Sequence, residues 1–185
     1  MITALWLLAI QGAMGAFDTL YYHEWRAKLP ARIPAARTEL RLHAARDFIY
    51  AIIFGTLPWV AWHGLWAGIL AALLVAEIVI TLKDFIVEDR ARKPLGGVYP
   101  GERATHALMG IIYGGVLAHL IPVLAQWWQT PTELALRPQM IPDALRLALA
   151  LMAIGVALSG VRDLYASTGL PRGGWPWRVA KEKGV

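Results

Sequence analysis

Nine ionisable side chains stand inside or beside apolar stretches of this chain: Asp18, His23, Glu24, His43, Asp47, Glu77, Asp84, Glu88 and His106. An ionisable group at the centre of a helix in hydrocarbon costs at least a few kcal/mol, so such residues are functional candidates by default. His43 and Asp47 are four residues apart, and Glu77, Asp84 and Glu88 are separated by seven and then four. Those intervals align each set on one helix face. Imidazole and carboxylate groups projecting from facing helices are the ligands from which carboxylate-bridged di-iron and di-manganese bundles are built. The expectation is a divalent metal centre, two ions per chain, with iron first and zinc or manganese as the other occupants. Charge supplies the reason: carboxylates crowded at low dielectric repel one another, and divalent cations neutralise them while satisfying their lone pairs.

The pattern differs from the paired Glu-x-x-His motifs of soluble di-iron bundles. The chain offers His43-x-x-x-Asp47 and no such pair, and it lacks the many histidines of membrane desaturases. A site type follows, without a family. Glu88 is expected to act in catalysis as well as in metal binding. Tyr113, seven residues after His106 and so on the same face, is a candidate redox or hydrogen-bonding group. Structural roles compete for some of these residues. Glu24, Glu88 and Asp89 could pair with neighbouring Arg or Lys at an interface, Glu102 suits the positive end of a helix, and Asp163 stands beside Arg162. His63 and His119 fall too far from the others to share a metal and are read as structural. The chain has no cysteine, which removes disulfides, thiolate metal sites and thiol nucleophiles.

The elements that must position these groups are membrane helices. Hydrophobic residues make up 57% of the 185 positions, above the share of about half that soluble domains carry. The expected fold is an all-α integral membrane protein, a single bundle over 1–185. Five spans are drawn at 2–25, 38–62, 65–89, 103–128 and 142–165, and 166–185 forms a cytoplasmic interfacial tail. The first four helices are expected to make an antiparallel core, with the fifth added to it. Pro58 is expected to kink the second helix, and only a turn at His63 and Gly64 separates the second helix from the third. Thr130, Pro131 and Glu133 suggest a short interfacial helix.

Sixteen of the eighteen Lys and Arg residues fall in three segments, Arg26 to Arg46, Lys83 to Arg103 and Arg162 to Lys183; the other two are Arg137 and Arg146. By the positive-inside rule the three segments face the cytoplasm, which with five spans puts the N-terminus outside and the C-terminus inside. Trp59, Trp62, Trp66, Trp127 and Trp128 then mark outer ends, and Trp25, Trp175 and Trp177 inner ones. Measured from the outer tryptophans, Asp47 and Glu77 lie roughly 18 to 22 Å deep and His43, Asp84 and His106 roughly 28 to 33 Å deep. The candidates thus meet at the cytoplasmic end.

The net charge of +5 is spent on short segments between apolar runs, so no nucleic-acid partner is expected. The expected function is that of a metal-dependent oxidoreductase in a bacterial-type inner membrane. Its partners are membrane lipids, a lipid-soluble small-molecule substrate and a redox partner. A zinc-dependent hydrolase of lipid headgroups uses the same donors with metal-bound water as nucleophile. A proton or metal-ion transporter working through Asp18, Asp47 and Glu77, or an accessory subunit of a membrane complex, completes the alternatives.

Overall fold

A computed structural model describes residues 1–136 and 141–177. Arg137 and the tail beyond Trp177, which the sequence reading places outside and in the cytoplasm respectively, lie outside the described residues. Five α-helices carry the fold: α1 (Ile2–Phe17), α2 (Arg37–Thr56), α3 (Leu65–Arg92), α4 (Pro100–Trp128) and α5 (Asp143–Ser167). The first continues from Asp18 to Ala27 as a π-helix, which Lys28 ends in the left-handed region (φ 53°). Four helices are long and apolar enough to cross a membrane: the combined first helix, α3, α4 and α5. At 25 to 29 residues they measure roughly 37 to 44 Å, more than a hydrocarbon core needs.

These helices are apolar outward as well as inward. Val75, Val79, Leu82 and Ile86 form an exposed stripe on α3, and Leu147, Leu151, Ile154 and Leu158 another on α5. In water such stripes would be a large unfavourable surface; against lipid tails they cost nothing. The inward apolar residues pack at one end of the bundle, where Leu5, Leu8, Ile53, Leu57, Leu70, Val116, Leu120 and Leu149 are fully buried. Polar side chains fill the other end.

Four expectations are corrected. The second helix stops at Thr56 instead of reaching 62, since Pro58 cannot supply the amide hydrogen that continuation requires, and a strand, β1 (Val60–Trp62), follows. The residues after Thr130 form no helix: Leu134–Leu136 make a second strand, β2, which pairs antiparallel with β1 in the register Val60 to Leu136. The link between α2 and α3 is therefore a strand and a glycine turn. Finally, α5 is no appendage, because its most extensive packing is against α2, with a further face on α1. α2 is the helix that falls short of spanning composition, for Arg37, Glu39, Arg41, His43, Arg46 and Asp47 occupy its first half.

Candidate metal centre

Each side chain of the polar end is placed by a local feature of its helix. In a π-helix, bonded i to i+5, residues five apart come onto one face. Asp18 and His23 stand at that interval, and His23 Nε2 lies 3.2 Å from Asp18 Oδ2. On α2 a four-residue step stacks Glu39 and His43, both buried. On α3 two further four-residue steps stack Asp84, Glu88 and Arg92, all 5% exposed or less. α4 supplies Glu102 in its first turn and His106 one turn on, and α5 supplies Asp163 near its end.

These groups form one continuous cluster. His23 Nε2 is 3.2 Å from Glu102 Oε1 as well as from Asp18. His106 Nε2 bonds Asp18 Oδ2 at 3.2 Å, and its Nδ1 lies 3.5 Å from Glu88 Oε1. His43 Nε2 is 3.1 Å from Asp84 Oδ2, and its Nδ1 is 3.6 Å from Asp163 Oδ2. The His23 and His43 rings stack with centroids 4.6 Å apart, which joins the two halves. Arg92 closes the far side, donating through Nε to Glu39 Oε1 at 2.9 Å and through a terminal nitrogen to Glu102 Oε1 at 3.0 Å. Arg46 approaches Asp84 at 3.5 Å.

Two groups within the cluster could hold a metal ion. Asp18, His23 and His106 each offer one ligand atom within 4.8 Å of the others, and so do Glu88, Glu102 and His106. Bonds of about 2.0 to 2.2 Å from one ion to nitrogen and oxygen ligands would draw these atoms somewhat closer together. Three ring nitrogens, His23 Nε2, His43 Nε2 and His106 Nδ1, are buried beside carboxylates yet aligned with none as hydrogen-bond partners. Asp18 Oδ1, Asp84 Oδ1 and Glu88 Oε2 are equally without hydrogen-bond partners among the described residues. Nitrogen and oxygen lone pairs that converge in this way could also be shared by a cation.

Not every expected ligand joins the cluster. Asp47 turns aside from His43 into a cavity of about 560 Å³ between α1, α2 and α5, whose polar end also holds Asp18, Arg46 and Ser159. Glu77 lies deeper among the apolar side chains, where it accepts hydrogen bonds from the hydroxyls of Tyr50 at 3.1 Å and Thr81 at 2.9 Å. Glu24 accepts from the Trp177 indole at 2.6 Å and faces Arg162 at 3.5 Å, on the outer surface of the cluster. Tyr113 donates to the Leu74 carbonyl at 3.4 Å and packs near Tyr50, away from the histidines. Glu88 does stay, with Asp89, Arg90 and Arg103 lining a second cavity that reaches it and His106.

Sequence reasoning passed over Glu39, Arg92, Glu102 and Asp163, reading the last two as a helix-end charge and a surface pair. Glu102 does accept from the Tyr99 amide at 3.4 Å through Oε2, while Oε1 serves the cluster. A signal for Glu39 was available: it stands four residues before His43 on the same face. His63 meets Glu133 at 3.4 Å and His119 bonds the Gly115 carbonyl at 2.9 Å, both apart from the cluster. No family model, curated protein or solved structure matches the chain, and the functional argument rests on this donor set.

Proposed function

We propose that this chain is a multi-pass protein of a bacterial-type cytoplasmic membrane that binds two divalent metal ions, iron first, at the cytoplasmic end of its bundle and oxidises a lipid-soluble substrate. The observation that carries the reading is the set of three buried imidazole nitrogens facing carboxylate oxygens out of hydrogen-bond alignment. Asp18, His23, Glu88, Glu102 and His106 are the proposed ligands. His43 and Asp84 extend the set at its α2 and α3 side.

Iron in a mixed imidazole and carboxylate site with open positions supplies dioxygen-dependent oxidation. The protein's own part is positioning. Arg92 fixes Glu102 and Glu39, and Asp163 orients His43 through its second nitrogen, the role that outer carboxylates commonly play around metal-ligating histidines. Substrate access is argued from the cavity of about 560 Å³ beside Asp18, a size typical of small-molecule sites. The opposite half of the bundle is closed by fully buried Leu5, Leu8, Leu70 and Leu120, which favours an enzyme over an ion pathway.

The test is metal content per chain by plasma mass spectrometry, on protein purified without chelators, with an absorption spectrum of the same sample. About two irons per chain are expected. They should be lost in His23→Ala and His106→Ala and kept in His119→Ala, whose ring bonds a backbone carbonyl elsewhere. Stoichiometric zinc would replace oxidation with hydrolysis. A protein that takes up no transition metal on reloading would sink the reading.

A further inference from the structure

The cavity between α1, α2 and α5 is apolar along most of its length, walled by Gly12, Gly15, Phe54, Leu151, Met152 and Val156. Two polar side chains, Gln11 and Tyr50, break that wall well above Asp18. Gln11 lines the cavity, is 5% exposed, and has its Oε1 buried without a hydrogen-bond partner among the described residues. A buried amide oxygen left unpaired costs roughly 1 to 3 kcal/mol, so its placement calls for an account.

Its orientation follows from its neighbours. Tyr50 donates its hydroxyl hydrogen to Glu77 Oε1 at 3.1 Å, and Thr81 donates to the same oxygen at 2.9 Å. With that hydrogen committed, the Tyr50 oxygen can only accept, and it does so from Gln11 Nε2 at 3.4 Å. The amide nitrogen is therefore turned toward Tyr50, which leaves the oxygen as the free group. Glu77, Tyr50 and Gln11 form a relay that leaves one hydrogen-bond acceptor unpaired in the wall of the cavity. Seven residues separate Gln11 from Asp18, which sets the acceptor about 10 Å from the metal cluster.

We infer that the cavity binds an elongated apolar molecule carrying a hydrogen-bond donor, a hydroxyl or N–H, about 10 Å from its reacting end, and that Gln11 selects it. The distance to the reacting end rests on the function proposed above; recognition by Gln11 does not. The mouth of the cavity is framed by Leu20 and Leu151, which are both exposed on the outer surface of the bundle. Such a molecule enters from a lipid phase. A site that pairs a buried polar group with a ligand donor rejects the analogue lacking it, because the group is then left unpaired.

The experiment is photolabelling in lipid nanodiscs with two probes, a long-chain diazirine alcohol and its methyl ether, read by mass spectrometry of α1 and α5 peptides. The alcohol is expected to label about tenfold more strongly than the ether. Gln11→Met should bring the two probes level, and His119→Ala, at a residue outside the cavity, should leave the preference in place. Gly155 lines the cavity with open space around a built Cβ, so Gly155→Trp should abolish labelling by both. Equal labelling by alcohol and ether in the unmodified protein would overturn the inference without any variant, as would an unchanged preference in Gln11→Met. Metal content is measured on the same samples: metal bound without the alcohol preference fails this inference alone, and the preference without metal fails the metal reading alone.

Discussion

Arg92 holds two carboxylates at once while only 1% of its surface is exposed, and neither Glu39 nor Glu102 is exposed at all. Removing the cation strands both anions, and breaking a buried pair in this way costs about 3 to 5 kcal/mol. Arg92→Met should therefore lower resistance to unfolding in a denaturing-detergent titration by an amount of that order. It should also weaken metal retention, since Glu102 faces His23 from its place against Arg92. Arg92→Lys, which keeps the charge but lacks the fork that reaches two carboxylates, should fall between them. Equal stability of Arg92→Met and the unmodified chain would contradict the clamp. Gathering of Asp18, His23, His43, Asp84, Glu88 and His106 was legible in the sequence because ionisable residues in apolar surroundings stand out. The clamp was not. Its partners are 53 and 10 residues apart, and a basic residue near a helix end looks like any interfacial charge. Glu77 and Asp47 show the converse error: helical period gives a face, but it does not fix which neighbour fills the space in front of it.

Four of the five helices were legible at the element scale from apolar runs, because length and hydropathy alone decide them, and α2 was legible from a charged but breaker-free stretch running into Phe48. Two local features were hidden. The π-helix at Asp18–Ala27 has no sequence signature, yet it decides that Asp18 and His23 meet. The β1–β2 ribbon joins segments more than seventy residues apart, and three-residue strands carry too little alternation to be seen. The ribbon's anchor is Gly64, at φ +56°, whose added Cβ would stand 2.4 Å from Thr132 Oγ1 and 2.6 Å from its Cα. Thr132 Oγ1 also accepts from the Leu65 amide at 3.1 Å, and the Gly64 amide donates to the Trp127 carbonyl at 2.8 Å. Gly64→Ala meets both backbone strain and backbone contact, and strain of this kind costs about 1 to 3 kcal/mol. Reduced thermal stability with unchanged metal content is the expected result, as Gly64 lies roughly 30 Å along α3 from Asp84. Loss of metal at full stability would show that the two ends of the bundle are coupled in a way the packing does not suggest.

At the scale of the whole molecule, the apolar core and the polar cluster occupy opposite ends, and the basic residues side with the cluster. Arg46 and Arg92 stand inside it, and Arg90 and Arg103 border it. The opposite end carries the ribbon and the rings of Trp59, Trp62 and Trp127, with Arg146 over Trp59 at 5.2 Å. Positive charge gathered at one end is the asymmetry that orients membrane proteins, while aromatic rings mark both interfaces. By the positive-inside rule the cluster is expected on the cytoplasmic side, and the function proposed above would draw its reductant from there, through the second cavity beside Glu88. The chain contains no cysteine, so single cysteines report topology without background. Glu133→Cys places a thiol at an exposed position just before β2, and Arg90→Cys places one at an exposed position near the end of α3. In spheroplasts an impermeant maleimide should label Glu133→Cys directly and Arg90→Cys only after the membrane is opened. The reverse order would turn the cluster outward, remove cytoplasmic reductants from its reach and leave the positive-inside argument without force for this chain. Labelling of both thiols in sealed spheroplasts would deny that α4, the helix between them, crosses the bilayer.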